Sequence, residues 1–203
     1  MFEFGRVRFR ALEREDLGLL HGWENDSEVI MYSRSRPLNF VSLAQLEKQY
    51  EDWMKDEREL HFIVELVDSK EAIGIARLQK QDWGNVKTVD IGTYIGKKEL
   101  WGKGLGREIT VGLLEMAFNQ LNAERCQAWS VEYNRRAHSA LEACGFKKGG
   151  AARQTVFVNG RKWDGYYFDI LRNEYLNTRL DLLKQALGNK AEEYVRSNGK
   201  IEG

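Results

Sequence analysis

The stretch Trp101-Gly102-Lys103-Gly104-Leu105-Gly106-Arg107 constrains the fold most, because it sets three glycines between a strand-like run and a helical one. Ahead of it Val89-Asp90-Ile91-Gly92-Thr93-Tyr94-Ile95 reads as a strand, and behind it Ile109, Leu113, Leu114, Ala117, Phe118 and Leu121 recur at helical spacing. In that order the loop backbone can approach a ligand closely, and its free N–H groups join those of the first helical turn. Such a site suits an anion, above all a phosphate or pyrophosphate. Lys103 and Arg107 add mobile positive charge. Two known phosphate loops fail on spacing: the dinucleotide fingerprint needs glycine where Arg107 or Ile109 stands, and the triphosphate loop needs Ser or Thr where Gly104 stands. A phosphate cradle of another kind and a glycine-rich turn without a ligand are the readings left.

A chain of 203 residues, 42% hydrophobic, is enough for one sizeable core. Lys+Arg and Asp+Glu balance at 31 each, so no overall basic field draws it to nucleic acid or an anionic membrane, and any anion site is local. Without an apolar run of membrane length or a secretion-like start, the expectation is a cytoplasmic protein. Cys126 and Cys144 read as free thiols, and His21, His61 and His138 are scattered singly, so no metal site is expected.

In chain order, Val7 to Leu12 reads as a strand and Glu13 to Glu24 as a helix, while Met31 to Phe40, with Pro37, is irregular. Ser42 to Gln45 is a capping box opening a helix to about Met54. His61–Val67, Ala72–Gln79 and Thr88–Ile95 form an antiparallel meander. After the loop and its helix, Arg125–Tyr133 reads as a strand parallel to the one before the crossover. Asn134 is placed to cap a helix from Arg135 to Cys144 that Gly145 ends. Gln154–Val158 and Tyr166–Leu171 form a hairpin about Asn159-Gly160, with its register open over Lys162–Gly165, and Arg179 to Arg196 reads as a charged helix.

Strand, glycine loop, helix and strand, then Asn134, Ala137, Leu141 and Cys144-Gly145-Phe146, resemble the GNAT superfamily of acetyl-CoA-dependent N-acetyltransferases. Trp101 to Gly106, Arg8-Phe9-Arg10 with Asp16, and Phe157-Val158-Asn159-Gly160 followed by Asp169 are similar to the branch of ribosomal-protein alanine and spermidine N-acetyltransferases. The resemblance covers about Val7 to Tyr175. It implies an α/β (α+β) fold: a mixed, mainly antiparallel sheet with a splayed parallel pair at its centre, helices on both faces and a C-terminal helix. It implies acetyl-CoA as cosubstrate, with Gly102, Lys103, Gly104, Leu105 and Gly106 on the pyrophosphate, Arg107 adding charge, and Asn134 beside the pantetheine arm. Tyr94, Ile95 and Gly96 fall where the family's strands part to admit that arm. Trp101 stands where the family's loop usually begins with Gln or Arg. Leu141 stands where many members carry a tyrosine that protonates the leaving thiolate, so that role cannot be transferred.

An alkyl amine with a pKa near 10.4 is mostly charged at neutral pH and must lose a proton before it attacks a thioester. Asp90 is the first candidate base, against a structural carboxylate at a strand end; Glu65 is a weaker one, against a solvated strand face. Cys144, Tyr133 and Ser139 are candidate acids, against a buried apolar thiol, a packed ring and a surface hydroxyl. His138 is expected on an exposed helix face near Arg135, and Trp83, Trp129 and Trp163 as core or pocket wall. Backbone donors near Tyr94 to Gly96 would polarise the acetyl carbonyl.

The leading expectation is an N-acetyltransferase acting by direct attack of a primary amine, on a small molecule or a protein N-terminus. The rival is a catalytically silent acyl-CoA-binding module. Polyamine or nucleotide-linked amino sugar stay open as acceptors, with Ile30 to Phe40 and the hairpin around Asn159 shaping the acceptor pocket. The expected organisation is a catalytic domain over 1–176 with a helix and tail over 177–203. A homodimer is expected, with either a second copy or the C-terminal helix, docked through Leu180, Leu183, Leu187, Ala191 and Tyr194, covering the hairpin's outer edge.

Overall fold

The computed structural model describes residues 1–33, 40–81 and 84–198. Trp83, Pro37 and positions 34–39 of the expected acceptor segment lie outside the described residues. The strands are β1 (Phe2–Phe4), β2 (Val7–Ala11), β3 (Glu59–Leu66), β4 (Ala72–Gln81), β5 (Thr88–Ile95), β6 (Arg125–Val131), β7 (Lys147–Val158) and β8 (Arg161–Leu171). They form one sheet in the order β1-β2-β3-β4-β5-β6-β8-β7. Its neighbours are antiparallel except β5 and β6, which run parallel at the centre, as expected from the crossover.

Strand alternation gives the sheet two working faces. On β4, Ala76 and Leu78 are buried against the core that holds Ile109, Leu113 and Phe118 of α4 (Leu105–Glu115) and its π-helical continuation Met116–Gln120, while Ile75 turns to the other side. That side is covered by α1 (Leu17–Glu24), α2 (Ser27–Ser33) and α3 (Leu43–Lys55), through Leu20, Trp23, Val29 and Leu46. The Ser42 capping box forms as expected, with Gln45 N–H donating to Ser42 Oγ at 3.2 Å. Among the described residues, no helix is long and apolar enough to cross a membrane.

Two elements escape sequence periodicity. Phe2–Phe4 is too short to show alternation, yet it pairs with β2 across a turn at Gly5, φ +59°. Helix α2 lies ahead of the segment read as irregular and runs into its first residues, 31–33; its opening is capped by Asp26, whose Oδ1 accepts from the amides of Glu28 (2.9 Å) and Val29 (3.2 Å). Strands β7 and β8 run well beyond the expected hairpin arms. Their pairing shifts register between Lys148 and Gly150 and between Ala152 and Val156, which erases the alternation a sequence reading needs. The Asn159-Gly160 turn holds, with both residues at positive φ (52° and 73°).

The C-terminal helix starts at Arg172, not Arg179, and Gly188 divides it into α6 (Arg172–Leu187) and α7 (Ala191–Asn198). Of the residues expected to dock it, Leu183, Leu187, Ala191 and Tyr194 do pack on the core, and Leu180 does not. Tyr175, Arg179, Leu182, Leu183 and Ala191 are buried, whereas Leu180 is 44% exposed. It docks on α4 and, through Tyr194 set edge-on to Phe4, against β1 at the far edge of the sheet from β7. The tail therefore docks, as expected, but not over the hairpin edge, where it was one of the two coverings expected.

Candidate active site

The parallel pair holds only at its base. Thr88, Val89 and Asp90 pair with Arg125, Cys126 and Gln127, and beyond them the strands part. Between Ile91–Ile95 on β5 and Ala128–Ser130 on β6 a cleft of about 580 Å³ opens, flanked at its mouth by the glycine loop, by α5 (Arg135–Ala143) and by Val29, Tyr32 and Ser33 of α2. The gap exposes backbone. Gly96 N–H donates to Ile73 O at 2.8 Å, and bonded pairs alternate along an antiparallel ladder, so Thr93 and Ile95 turn their backbone groups away from β4 and into the gap. Consistent with that direction, Ile95 O accepts from Trp101 Nε1 at 2.8 Å. Gly96, expected among the donors, is thus already committed; it is also pinned beneath Trp23, whose ring a Cβ there would meet at 2.2 Å.

The loop is built to present amides. Gly102 and Gly104 sit at φ +76° and +82°, a region that side chains disfavour, and Gly104 is the N-cap of α4. Helix geometry leaves the N–H groups of Leu105 and Gly106 without an intrahelical acceptor, and the macrodipole favours negative charge beside them. Beyond its own helical turn, a Cβ on Gly106 would meet nothing within 4 Å, so the missing side chain keeps open a space that a phosphate could occupy. The residues present therefore fit a pyrophosphate-bearing cosubstrate. The Leu105 side chain turns into the core, and Lys103 stays exposed while its carbonyl accepts from Arg6 Nη2 at 3.0 Å.

Asn134 does two jobs: its Oδ1 accepts from Ala137 N–H at 3.2 Å, capping α5, and its Nδ2 donates to Tyr32 O at 3.0 Å, holding the end of α2 at the cleft. Tyr133 OH donates to the neighbouring Met31 O at 2.8 Å and its ring meets Tyr32 and Trp163 edge-on. The Arg136 guanidinium lies over Trp101 at 4.2 Å and over Tyr32 at 4.5 Å, joining loop, α2 and α5.

The structure brings Tyr94, Ile95, Trp101, Gly102, Gly104, Gly106, Arg107 and Asn134 to one cleft; Asp90, Tyr133 and Cys144 do not line it. Asp90 sits at the closed base, where Arg77 Nη2 donates to it at 2.7 Å; burial pushes its carboxyl above the usual value against the pull of Arg77. Cys144 is fully buried, and burial pushes its thiol up to about 12. Ser139 and Leu141 line the cleft, as does Trp129, which lies over Gly165. His138, expected on a wet face, is 6% exposed: its ring packs on Tyr166 and Phe168, and Nε2 bonds Val131 O at 3.0 Å. Glu65, expected to be solvated, is buried between Arg8 (2.5 Å) and Arg10 (2.6 Å). The Asn159-Gly160 turn does not line the cleft.

Sequence reasoning missed the loop's brace. Glu108 accepts from Arg6 Nε at 2.7 Å and from Arg6 N–H at 3.0 Å, tying the β1–β2 turn to the first turn of α4. A carboxylate on the apolar side of a helix was the available signal. It also missed Ser130, whose Oγ has no hydrogen-bond partner among the described residues.

Residues 6–147 match the family model described as an acetyltransferase (GNAT) domain. The chain is 30% identical over 172 residues to a spermidine N(1)-acetyltransferase of Vibrio cholerae, covering 85% of this chain and 96% of that protein. It is 26% identical over 171 residues to the Escherichia coli K12 protein of the same name, covering 84% and 88%. A crystal structure of the Vibrio cholerae spermidine N-acetyltransferase with CoA and spermine superposes with a TM-score of 0.76 at 29% identity, covering 85% of this chain and 99% of that one.

Proposed function

The chain belongs to the GNAT acetyltransferase family, and on that premise we propose that it carries the acetyl group of acetyl-CoA to a primary amine by direct attack inside the β5–β6 wedge. One observation carries this reading: the strands part directly behind a glycine loop that lines the resulting cleft, with open space beside Gly102 and Gly106. The amides of Gly102 to Gly106 would hold the pyrophosphate, with Arg107 and Lys103 adding charge. The backbone of Thr93 and Ile95 would pair with the pantetheine arm as an added strand would, beside Asn134. Acetyl-CoA supplies an activated acyl group with a readily departing thiol. The chain's own task is to orient the amine, exclude water and let the amine shed its proton. Aromatic walls at Tyr32, Tyr94 and Trp129 favour the neutral amine by desolvation. Asp90 at the closed base would receive the proton through water, and its raised carboxyl value brings it nearer to such work. Tyr133 then serves to hold α2, and Cys144 to pack.

Spermidine is the first acceptor to test, because similar proteins are named for it. A second reading has its own support. Arg107, Arg135 and Arg136 line the cleft and no carboxylate does among the described residues, which favours an amine carrying a single positive charge, such as a peptide N-terminus. Thiol release from acetyl-CoA, measured with spermidine, N-terminal peptides and amino sugars, decides. Release with one class is expected. Saturable cofactor binding without release across the panel would leave the silent acyl-CoA-binding module. A homodimer, paired through the edge strand β7, completes the proposal and is read by light scattering.

A further inference from the structure

Ser130 is the one polar side chain on the β6 wall of the wedge. It stands three residues past Gln127, the last β6 residue paired with β5, so it lies where the strands have already separated. Its side of β6 is shared with Cys126 and Ala128 and faces the α4 core, and around it Ala128, Ile91, Ala140 and Leu141 leave the cleft wall apolar. The residue is 5% exposed and its Oγ has no partner among the described residues. A buried hydroxyl without a partner has lost its water without compensation, so one on a residue that lines a cleft is expected to be completed by what the cleft binds. Resting on the acetyl-CoA reading above, we propose that Ser130 is a thiolate-stabilising donor: its hydroxyl hydrogen-bonds the coenzyme sulfur as the carbon–sulfur bond breaks.

The location selects the sulfur. The phosphate end of the cosubstrate belongs to the glycine loop at the mouth, and the peptide-like amides of its arm are matched by strand backbone. What reaches deepest is the thioester, and Ser130 lies deeper than Asn134, toward the closed base. In the transfer, the amine nitrogen bonds the carbonyl carbon, and the carbon–sulfur electron pair passes to sulfur. The amine's proton passes through water to Asp90, and Ser130 keeps its own while lending a hydrogen bond to the sulfur anion. Leu141, on the facing helix, has no donor to offer.

The test reads the thiol of bound coenzyme A directly, by thiolate ultraviolet absorbance against pH, as a difference between protein with and without coenzyme A. The protein's own thiols stay out of the window, because burial raises both Cys126 and Cys144. In the wild type the thiol of bound coenzyme A should ionise about tenfold more readily than that of free coenzyme A titrated alongside. Ser130→Ala should abolish that shift and Ser130→Thr should restore it, while calorimetric affinity for coenzyme A below the thiol's titration stays within about twofold. Equal thiol titration in wild type and Ser130→Ala, with both binding coenzyme A, would overturn the role of Ser130 and leave the cofactor reading standing. Failure of the wild type to bind coenzyme A would overturn that reading and the Ser130 role with it. Ser130→Val, which matches Ser130→Thr in shape but has no donor, separates the hydrogen bond from packing: it should behave as Ser130→Ala.

Discussion

Helix α4 meets opposite environments at its two ends. At Gly104 it begins with a glycine cap and no side-chain acceptor, and its first turn borders the cleft. At Glu115, 1% exposed in its side chain, every oxygen is engaged: Arg179 donates from Nε at 2.7 Å and Nη2 at 2.8 Å, Asn119 Nδ2 at 2.6 Å, and the buried Tyr175 hydroxyl also donates. The N-terminal end is held in place from outside by the Arg6–Glu108 brace, which leaves its amides for a ligand. Polar groups are satisfied internally where the helix must be fixed, and left unsatisfied where it must bind. The two ends should therefore fail differently when mutated.

The largest effect is expected at the satisfied end. Arg179→Ala strands a buried carboxylate, and removing one partner of such a pair costs about 3–5 kcal/mol. Urea titration should show that loss while coenzyme A affinity, measured where the protein is still folded, changes less than about threefold. A large affinity loss with little destabilisation would erase the distinction between the ends. Next comes the open end. Gly106→Ala should weaken coenzyme A binding at least about tenfold. It should stabilise the fold by about 0.5–1 kcal/mol, since alanine suits a helix better than glycine and meets no neighbour there. Unchanged calorimetric affinity would mean the space beside Gly106 is not where the phosphate sits.

A smaller effect follows from His138, which helps fix α5, the other wall of the mouth. Burial holds its folded pKa below the ordinary value of about 6.5. The unfolded chain then binds the proton more readily. The stability His138 contributes is therefore whole above about pH 6.5 and is lost as pH falls from there through the folded value. His61 is lowered in the same sense, again by burial. Urea midpoints should drop from about pH 7 to about pH 5, and His138→Gln should reduce that drop. An identical drop in the variant would assign the acid sensitivity elsewhere. The smallest effect is expected from Lys103→Ala: its side chain is exposed, so a screened charge should change coenzyme A affinity less than about threefold, and less still in high salt.

The same contrast explains what was legible in the sequence. Signals written within a few residues translate directly into structure: the Ser42–Gln45 box, the Asn134 cap on Ala137, the left-handed Gly145 at φ +89°, and the Asn159-Gly160 turn. The strand, glycine loop and helix order is of that kind, and it placed the cleft. Partnerships between distant residues carry no period. Arg6 meets Glu108 across 102 positions, Arg179 meets Glu115 across 64, and Arg77 takes hold of Asp90 from a neighbouring strand. For that reason the burial of His138 and Glu65, the start of the C-terminal helix and the partner of the candidate base emerge only with the fold.

Amide hydrogen exchange with and without coenzyme A tests the central claim most directly, because it reads backbone groups at both ends of α4 in one measurement. Protection is predicted to rise over residues 102–107 and at Thr93 and Ile95, with no change over α6 and α7. Protection confined to α6 and α7, or coenzyme A binding that leaves the glycine loop amides exchanging as before, would contradict the account.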